Sequence, residues 1–276
     1  MNYDESDSLP GVADGESLTV EQAIANLHSQ DYSLRYYAAW WIGRFRVKEP
    51  AAIAALIAAL QEESEQTKIG DYSLLRNAAR ALGKLGDKQA LPALIRCLEC
   101  ADYYVREAAA QALEMLGDRD SIPPLMQLLD GGVAGAVRVA GKSHLVQPYD
   151  SVIEALGTLR ATEAIPLIAP FLEHSVERVQ YAAARAMYQL TGDRIYGDLL
   201  VTALNGDNLQ LRRSALMDLG AIGYLPSAPA IAETLAENSM KLIALKGVLE
   251  HHLNQQESLF LSDEAIQVMN LMDSLL

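Results

Sequence analysis

The chain has 276 residues, a formal net charge of −14 and a hydrophobic fraction of 50%. Such an acidic chain lacks the Lys and Arg surplus that displaces counterions from phosphate, so composition excludes a strong nucleic-acid binder and a protein that adheres to an anionic membrane surface. No apolar run reaches the roughly 18 residues that suggest a membrane span, and MNYDESDSLP has no basic stretch followed by an apolar core, so no signal peptide is expected.

In chain order, residues 1–17 come first. Asp4, Glu5, Asp7, Asp14 and Glu16 make this stretch acidic, and no fixed structure is expected there. A repeat domain is expected over 18–276. Its first copy is DYSLRYYAAWWIGRF from Asp31. The next two, DYSLLRNAARALGKLGDKQALPALIRCL from Asp71 and DYYVREAAAQALEMLGDRDSIPPLMQLL from Asp102, align without a gap. Asp71 falls on Asp102, Ala78 on Ala109, Leu82 on Leu113, Gly86 on Gly117 and Pro92 on Pro123. Later copies begin at Pro148, Glu177 and Asn208, and a degenerate cap covers about 240–276. A Gly-rich insertion, about 131–147, interrupts the array. It reads either as a tolerated surface insertion or as a mobile flap over a site.

Each copy reads as two helices. Val105, Ala108, Ala109, Ala112, Leu113 and Leu116 recur at the spacing of one helical face. Asp71 and Asp102 stand where N-caps belong, and Gly86 and Gly117 where helices stop. Pro92, Pro123 and Pro166 then open the second helix, where a missing N–H costs nothing. Neither helix buries its apolar stripe alone, so neighbouring units must cover it. The fold class is all-α, an α-α superhelix of about six to seven helical hairpins of the HEAT-like solenoid kind, with no β-sheet.

Familiar catalytic marks are missing. There is no P-loop, no G-x-S-x-G and no G-x-G-x-x-G. Cys97 and Cys100 form a lone CxxC that cannot close a zinc site, and the five His are scattered. No metal is expected, and both cysteines read as ordinary buried or half-buried helix residues.

The repeats stacked as columns are more informative. One column holds Arg35, Leu75, Arg106, Tyr149, Gln180 and Arg212. The next holds Tyr36, Arg76, Glu107, Asp150, Tyr181 and Arg213. A third holds Trp40, Arg80, Gln111, Glu154, Arg185 and Met217. An acidic chain thus collects Arg and aromatic residues on one helix type. Arg grips carboxylates bidentately, and rings give flat contact area. Against this stands a structural reading, an Asp–Arg ladder with Asp31 and Arg35, or Asp102 and Arg106, at its spacing. Arg106 fits the ladder; Arg44, Arg76 and Arg80 lie off it. Trp41 falls in a core column and Trp40 in the polar one.

At these residues a resemblance emerges. RYYAAWWIGRFR, LLRNAARALGKLGD, YYVREAAAQALEMLGD and QPYDSVIEALG together resemble the E-type subunit of phycocyanobilin lyases, from about Leu18 to Leu235. The D-x-x-V-R-x-x-A-A pattern is shared by many HEAT-like proteins, whereas the Tyr-Tyr-Ala-Ala-Trp-Trp run is specific. The resemblance implies that the D-Y-S-L helices line the concave side. It implies pairing with a homologous F-type subunit and an apo-phycocyanin α-subunit as acceptor. Phycocyanobilin is then the substrate and no further cofactor is expected, in a cytoplasmic setting. The lyase joins bilin to an acceptor cysteine by a thioether bond. With no adjacent His-Cys, plain ligation is favoured over isomerisation.

Carried onto this chain, Arg44, Arg76, Arg80 and Arg106 become candidates for the bilin propionates. Trp40, Tyr103, Tyr104 and Tyr149 become candidates to cover the tetrapyrrole. Tyr36, Glu107 and Asp150 become candidates for proton supply or for accepting pyrrole N–H bonds. Two other functions fit the repeat: a non-catalytic adaptor binding a basic peptide, and a relative that detaches bilins in phycobilisome turnover.

Overall fold

The computed structural model describes residues 18–61, 71–255 and 260–276. The acidic segment 1–17 lies outside the described residues. The chain divides into two compact units, one ending at Pro124 and one spanning Leu125–Leu276.

The first unit contains α1 (Val20–Leu27), α2 (Tyr32–Phe45), α3 (Pro50–Gln61), α4 (Ser73–Leu85), α5 (Leu91–Cys97) and α6 (Tyr103–Leu116). Helix α4 packs between α2 and α6, with α3 against α4 and α5 against α6. A short helix α7 (Ile122–Gln127) follows. The second unit contains α8 (Gly132–Gly135), α9 (Tyr149–Thr158), α10 (Ile165–Ile168), α11 (Glu177–Thr191), α12 (Arg194–Ala203), α13 (Leu209–Ile222), α14 (Ala228–Glu233), α15 (Asn238–Gln255) and α16 (Asp263–Asp273). There α9 packs on α11, α11 on α13, and α13 on α15.

The expected caps form. The Asp31 carboxylate accepts from the Ser33 N–H at 2.8 Å, and Asp102 accepts from Val105 at 2.9 Å. Asp71 accepts from Ser73 at 2.9 Å, one residue upstream of the cap position itself, Tyr72. Gly86 and Gly117 end α4 and α6 at φ 71° and 69°, where a Cβ would be strained. Pro92 and Pro166 sit in the first turn of α5 and α10.

Small residues set the helix spacing. Val105, Ala108, Ala109, Ala112 and Leu113 are wholly buried. A Cβ on Gly43 would lie 2.8 Å from Ala81 Cα, and one on Gly83 2.7 Å from Ala112 Cα. The backbones of α2, α4 and α6 are therefore nearly in contact along one line. The Tyr32 hydroxyl bridges adjacent repeats: it accepts from the Leu74 N–H at 3.1 Å and donates to the Asp71 carbonyl at 3.3 Å.

The arginines of the expected ladder also reach backbone carbonyls. Arg35 donates from Nε to the Leu27 carbonyl at 2.9 Å, and Arg106 from Nη1 to the carbonyls of Cys100 and Ala101 at 2.6 and 3.0 Å. These side chains tie down the chain entering their own helices. A cross-repeat pair runs from Arg76 to Asp102, 3.7 Å apart. In the insertion, α8 leads into a turn whose two sides meet at the bridge between Arg138 and Leu145, an isolated bridge rather than a strand.

Candidate functional site

Helices α2 and α4 hold Arg35, Arg44, Arg76, Arg80 and Lys84 and no acidic residue at all. In a chain of net charge −14 this is a local reversal of sign. The closeness forced by Gly43 against Ala81 brings together α2, which carries Trp40 and Arg44, and α4, which carries Arg80 and Lys84. Trp40 is 45% exposed and stacks on Tyr37, centroids 5.5 Å apart. Arg44, Arg80 and Lys84 are exposed, and none of their side chains makes an ion pair or hydrogen bond among the described residues. Unpaired guanidinium groups beside a solvent-facing indole make a surface suited to a flat anion.

The neighbouring column is half-buried and already engaged. Arg76 pairs with Asp102 at 3.7 Å, and its guanidinium lies 5.6 Å over the Tyr104 ring. Tyr104 meets Tyr103 edge to face at 5.2 Å. Tyr36 is half-buried and its carbonyl accepts from Asn77 Nδ2 at 3.1 Å. Glu107 is half-buried on α6. Burial lowers the Arg106 pKa, offset in part by the neighbouring Cys100, Asp102 and Tyr103.

Of the residues singled out by sequence, Tyr36, Trp40, Arg44, Arg76, Arg80, Tyr103, Tyr104, Arg106 and Glu107 thus share three stacked helices of the first unit. Tyr149 and Asp150 belong to the second, and there the expectation needs correction. Tyr149 is only 3% exposed and packs on Phe171 at 5.4 Å, so its ring is core and covers no ligand. Burial also raises its hydroxyl pKa. Asp150 is 6% exposed and its carboxylate is ion-paired with Arg178, which leaves it poorly placed to accept from a pigment. Trp41 is half-buried against Phe45, ring centroids 4.8 Å apart, rather than sealed in the core.

Two contributors escaped the sequence reading. Lys84 follows Arg80 by one helical turn and falls in the Arg44 column, a signal that was present. Tyr37 sits in the column of Asn77 and Ala108, so its stacking on Trp40 had no columnar signal.

Neither cysteine is suited to act as a nucleophile. Cys97 is buried at the end of α5 and its thiol is pushed up to about 12 by burial. Cys100, half-buried in the loop beyond α5 rather than on a helix, is raised for the same reason. Neither is a thiolate near neutral pH. Among the described residues no group of three or more His, Cys, Asp or Glu is placed to hold a metal. No described helix is long and apolar enough to cross a membrane.

Two-helix units that stack through alanine and glycine, with Asp caps and Pro-opened second helices, define a HEAT-repeat protein. The HEAT-repeat family model matches residues 67–143 and 150–220, and the PBS lyase HEAT-like repeat matches 34–62. The chain is 66% identical over 263 residues to the phycocyanobilin lyase subunit alpha of Nostoc sp., covering 95% of each. It is 62% identical over 262 residues to that of Synechocystis sp., covering 94% of this chain and 96% of the relative. The solved complex of CpcE and CpcF of phycocyanin lyase from Nostoc sp. contains a chain that superposes with a TM-score of 0.89 at 64% identity, covering all of both. The chain belongs to the phycocyanobilin lyase alpha-subunit family.

Proposed function

We infer that this chain is one subunit of a heterodimeric bilin lyase of the cytoplasm. With an F-type partner it joins phycocyanobilin, its substrate, to a cysteine of the phycocyanin α-subunit. The observation that carries the site is the acid-free pair of helices α2 and α4, with Arg44 and Arg80, unpaired among the described residues, beside exposed Trp40.

The reaction is an addition without redox change. The acceptor sulfur bonds to the exocyclic carbon of ring A, the C=C π bond is consumed, and a proton ends on the neighbouring ring carbon. The thiol's own hydrogen balances that proton. Both lyase thiols are held protonated by burial, in keeping with a nucleophile supplied by the acceptor. The subunit's work is then orientation: holding the reacting atoms together is worth several kcal/mol, roughly 7–11 in the best cases. In this reading Arg44 and Arg80 hold the propionates. Trp40, Tyr37 and Tyr104 cover the tetrapyrrole plane. Tyr36 and Glu107, half-buried next to that face, are the groups suited to moving the proton.

The test is reconstitution of this chain with an F-type subunit, phycocyanobilin and apo-α-phycocyanin, followed by a denaturing gel scanned for covalent bilin fluorescence. Pigment that stays with the denatured acceptor is the expected result. Pigment that washes off, or pigment lost from holo-phycocyanin, overturns the ligase direction.

A further inference from the structure

The segment 131–147 contains Arg138, Lys142 and His144 and no acidic residue. Its fold is a small hairpin. The Val146 N–H donates to the Val137 carbonyl at 3.0 Å, and Val139 to His144 at 3.1 Å. Gly141 turns the chain at φ 73°, and Arg138 Nη1 donates to the Ser143 carbonyl at 3.2 Å.

The base of the hairpin is pinned. The Val176 N–H donates to His174 Nδ1 at 3.0 Å, so that nitrogen carries no proton. His174 Nε2 must then be the donor to the Ala136 carbonyl at 3.1 Å. Ala136 and Leu145 are buried beneath the arm, while Val137 is 54% exposed and Val146 39%. Arg138 and Lys142 face solvent; the Lys142 N–H donates to the Val139 carbonyl at 3.0 Å, and its ammonium makes no ion pair among the described residues. A pinned, outward-facing basic arm differs from a flap that closes over a site.

We propose that the hairpin Val137–Val146 is a docking arm for an acidic surface strip of the acceptor protein. The proposal rests on the lyase reading above. Charge selects the occupant: two solvent-facing cations in a segment without an acidic residue attract an acidic polypeptide. Size selects among polypeptides. A permanent subunit interface buries a broad apolar area, whereas the arm offers two valines and a polar tip, the make-up of an encounter that must also release. The acceptor binds and leaves in each turnover; the F-type partner stays.

The experiment uses the full heterodimer with phycocyanobilin and apo-α-phycocyanin. The double variant Arg138→Glu/Lys142→Glu is compared with wild type at low and physiological salt. The KM for acceptor is expected to rise about tenfold at low salt, with kcat at saturating acceptor unchanged. The wild-type KM for acceptor is expected to rise with salt, and the variant's is not. An unchanged acceptor KM overturns the proposal. So does a raised KM for bilin, which would make the arm a pigment contact, or loss of the heterodimer on gel filtration. Replacing Arg138 by Lys, which keeps the charge, is expected to preserve wild-type KM. Failure of wild type itself to load pigment would instead remove the lyase reading.

Discussion

The Arg76 guanidinium spans a repeat boundary to the Asp102 carboxylate, Nε to Oδ1 3.7 Å. Asp102 also caps α6 through the Val105 N–H, so one carboxylate starts α6 and pairs it with α4 of the preceding repeat. Arg76 was expected from its column to serve ligand binding; its geometry gives it a structural load as well.

Arg76→Ala is therefore expected to lower stability by about 1 kcal/mol. A part-exposed ion pair contributes roughly 0–1 kcal/mol, and the contact over Tyr104 adds about 0.5–1. Urea unfolding of the single variants Arg76→Ala and Asp102→Ala and of the double variant measures the coupling. A coupling of zero would show that the pair is only proximity.

Arg44→Ala and Arg80→Ala are expected to behave differently. Neither side chain has a partner to lose among the described residues, so each should shift stability by less than about 0.5 kcal/mol. Each should weaken bilin binding by about 1–2 kcal/mol if it holds a propionate by charge-assisted hydrogen bonds. Titrating the heterodimer with phycocyanobilin, read by absorbance, checks this. Wild-type affinity in both variants would empty the proposed site.

Cys97→Ala with Cys100→Ser is expected to leave kcat for pigment transfer unchanged, because neither thiol is ionised near neutral pH. Loss of transfer in a folded double variant would mean that a lyase thiol takes part. Circular dichroism distinguishes this from unfolding.

Packing supplies a further test. Leu113→Ala should cost about 2–5 kcal/mol, since the side chain is wholly buried. Gly83→Ala normally favours a helix by about 1 kcal/mol, but the new Cβ would stand 2.7 Å from Ala112 Cα. The backbones must separate, and a net loss of about 1–3 kcal/mol is expected from thermal unfolding.

Acid sensitivity follows from Asp71. The hydrogen bond from Ser73 holds its carboxyl below the ordinary 3.8. A folded pKa below the unfolded one stabilises the protein above about the unfolded value, and that stability is lost as pH falls through the folded one. Asp71→Asn should be less stable than wild type at neutral pH, and the gap should close toward acid. Denaturant midpoints across the pH range measure it; a gap that widens in acid would contradict the assignment.

The helical architecture was legible because the repeat states its own boundaries. Asp102, Gly117 and Pro123 act within a few residues of themselves, through caps, a left-handed stop and a missing N–H. The apolar spacing from Val105 to Leu116 names the buried face without any knowledge of what covers it. Candidate site residues were legible only as columns. Trp40 and Arg80 share a column with Arg185, yet Arg185 is only 13% exposed and lies between Glu154 and Asp218, at 3.4 and 3.3 Å. A column records position in the repeat and is silent on which neighbours bring acids to the same place.

The sequence by itself determined the two-helix unit, its caps and its buried stripe, because those depend on contacts within a turn or two of the chain. It also determined the family, through a rare aromatic run. Only the tertiary structure decided which charges remain free. Pairing depends on side chains contributed by neighbouring repeats, such as Asp102 for Arg76 and Arg178 for Asp150. A long side chain with several rotamers meets such partners only after the backbones have packed.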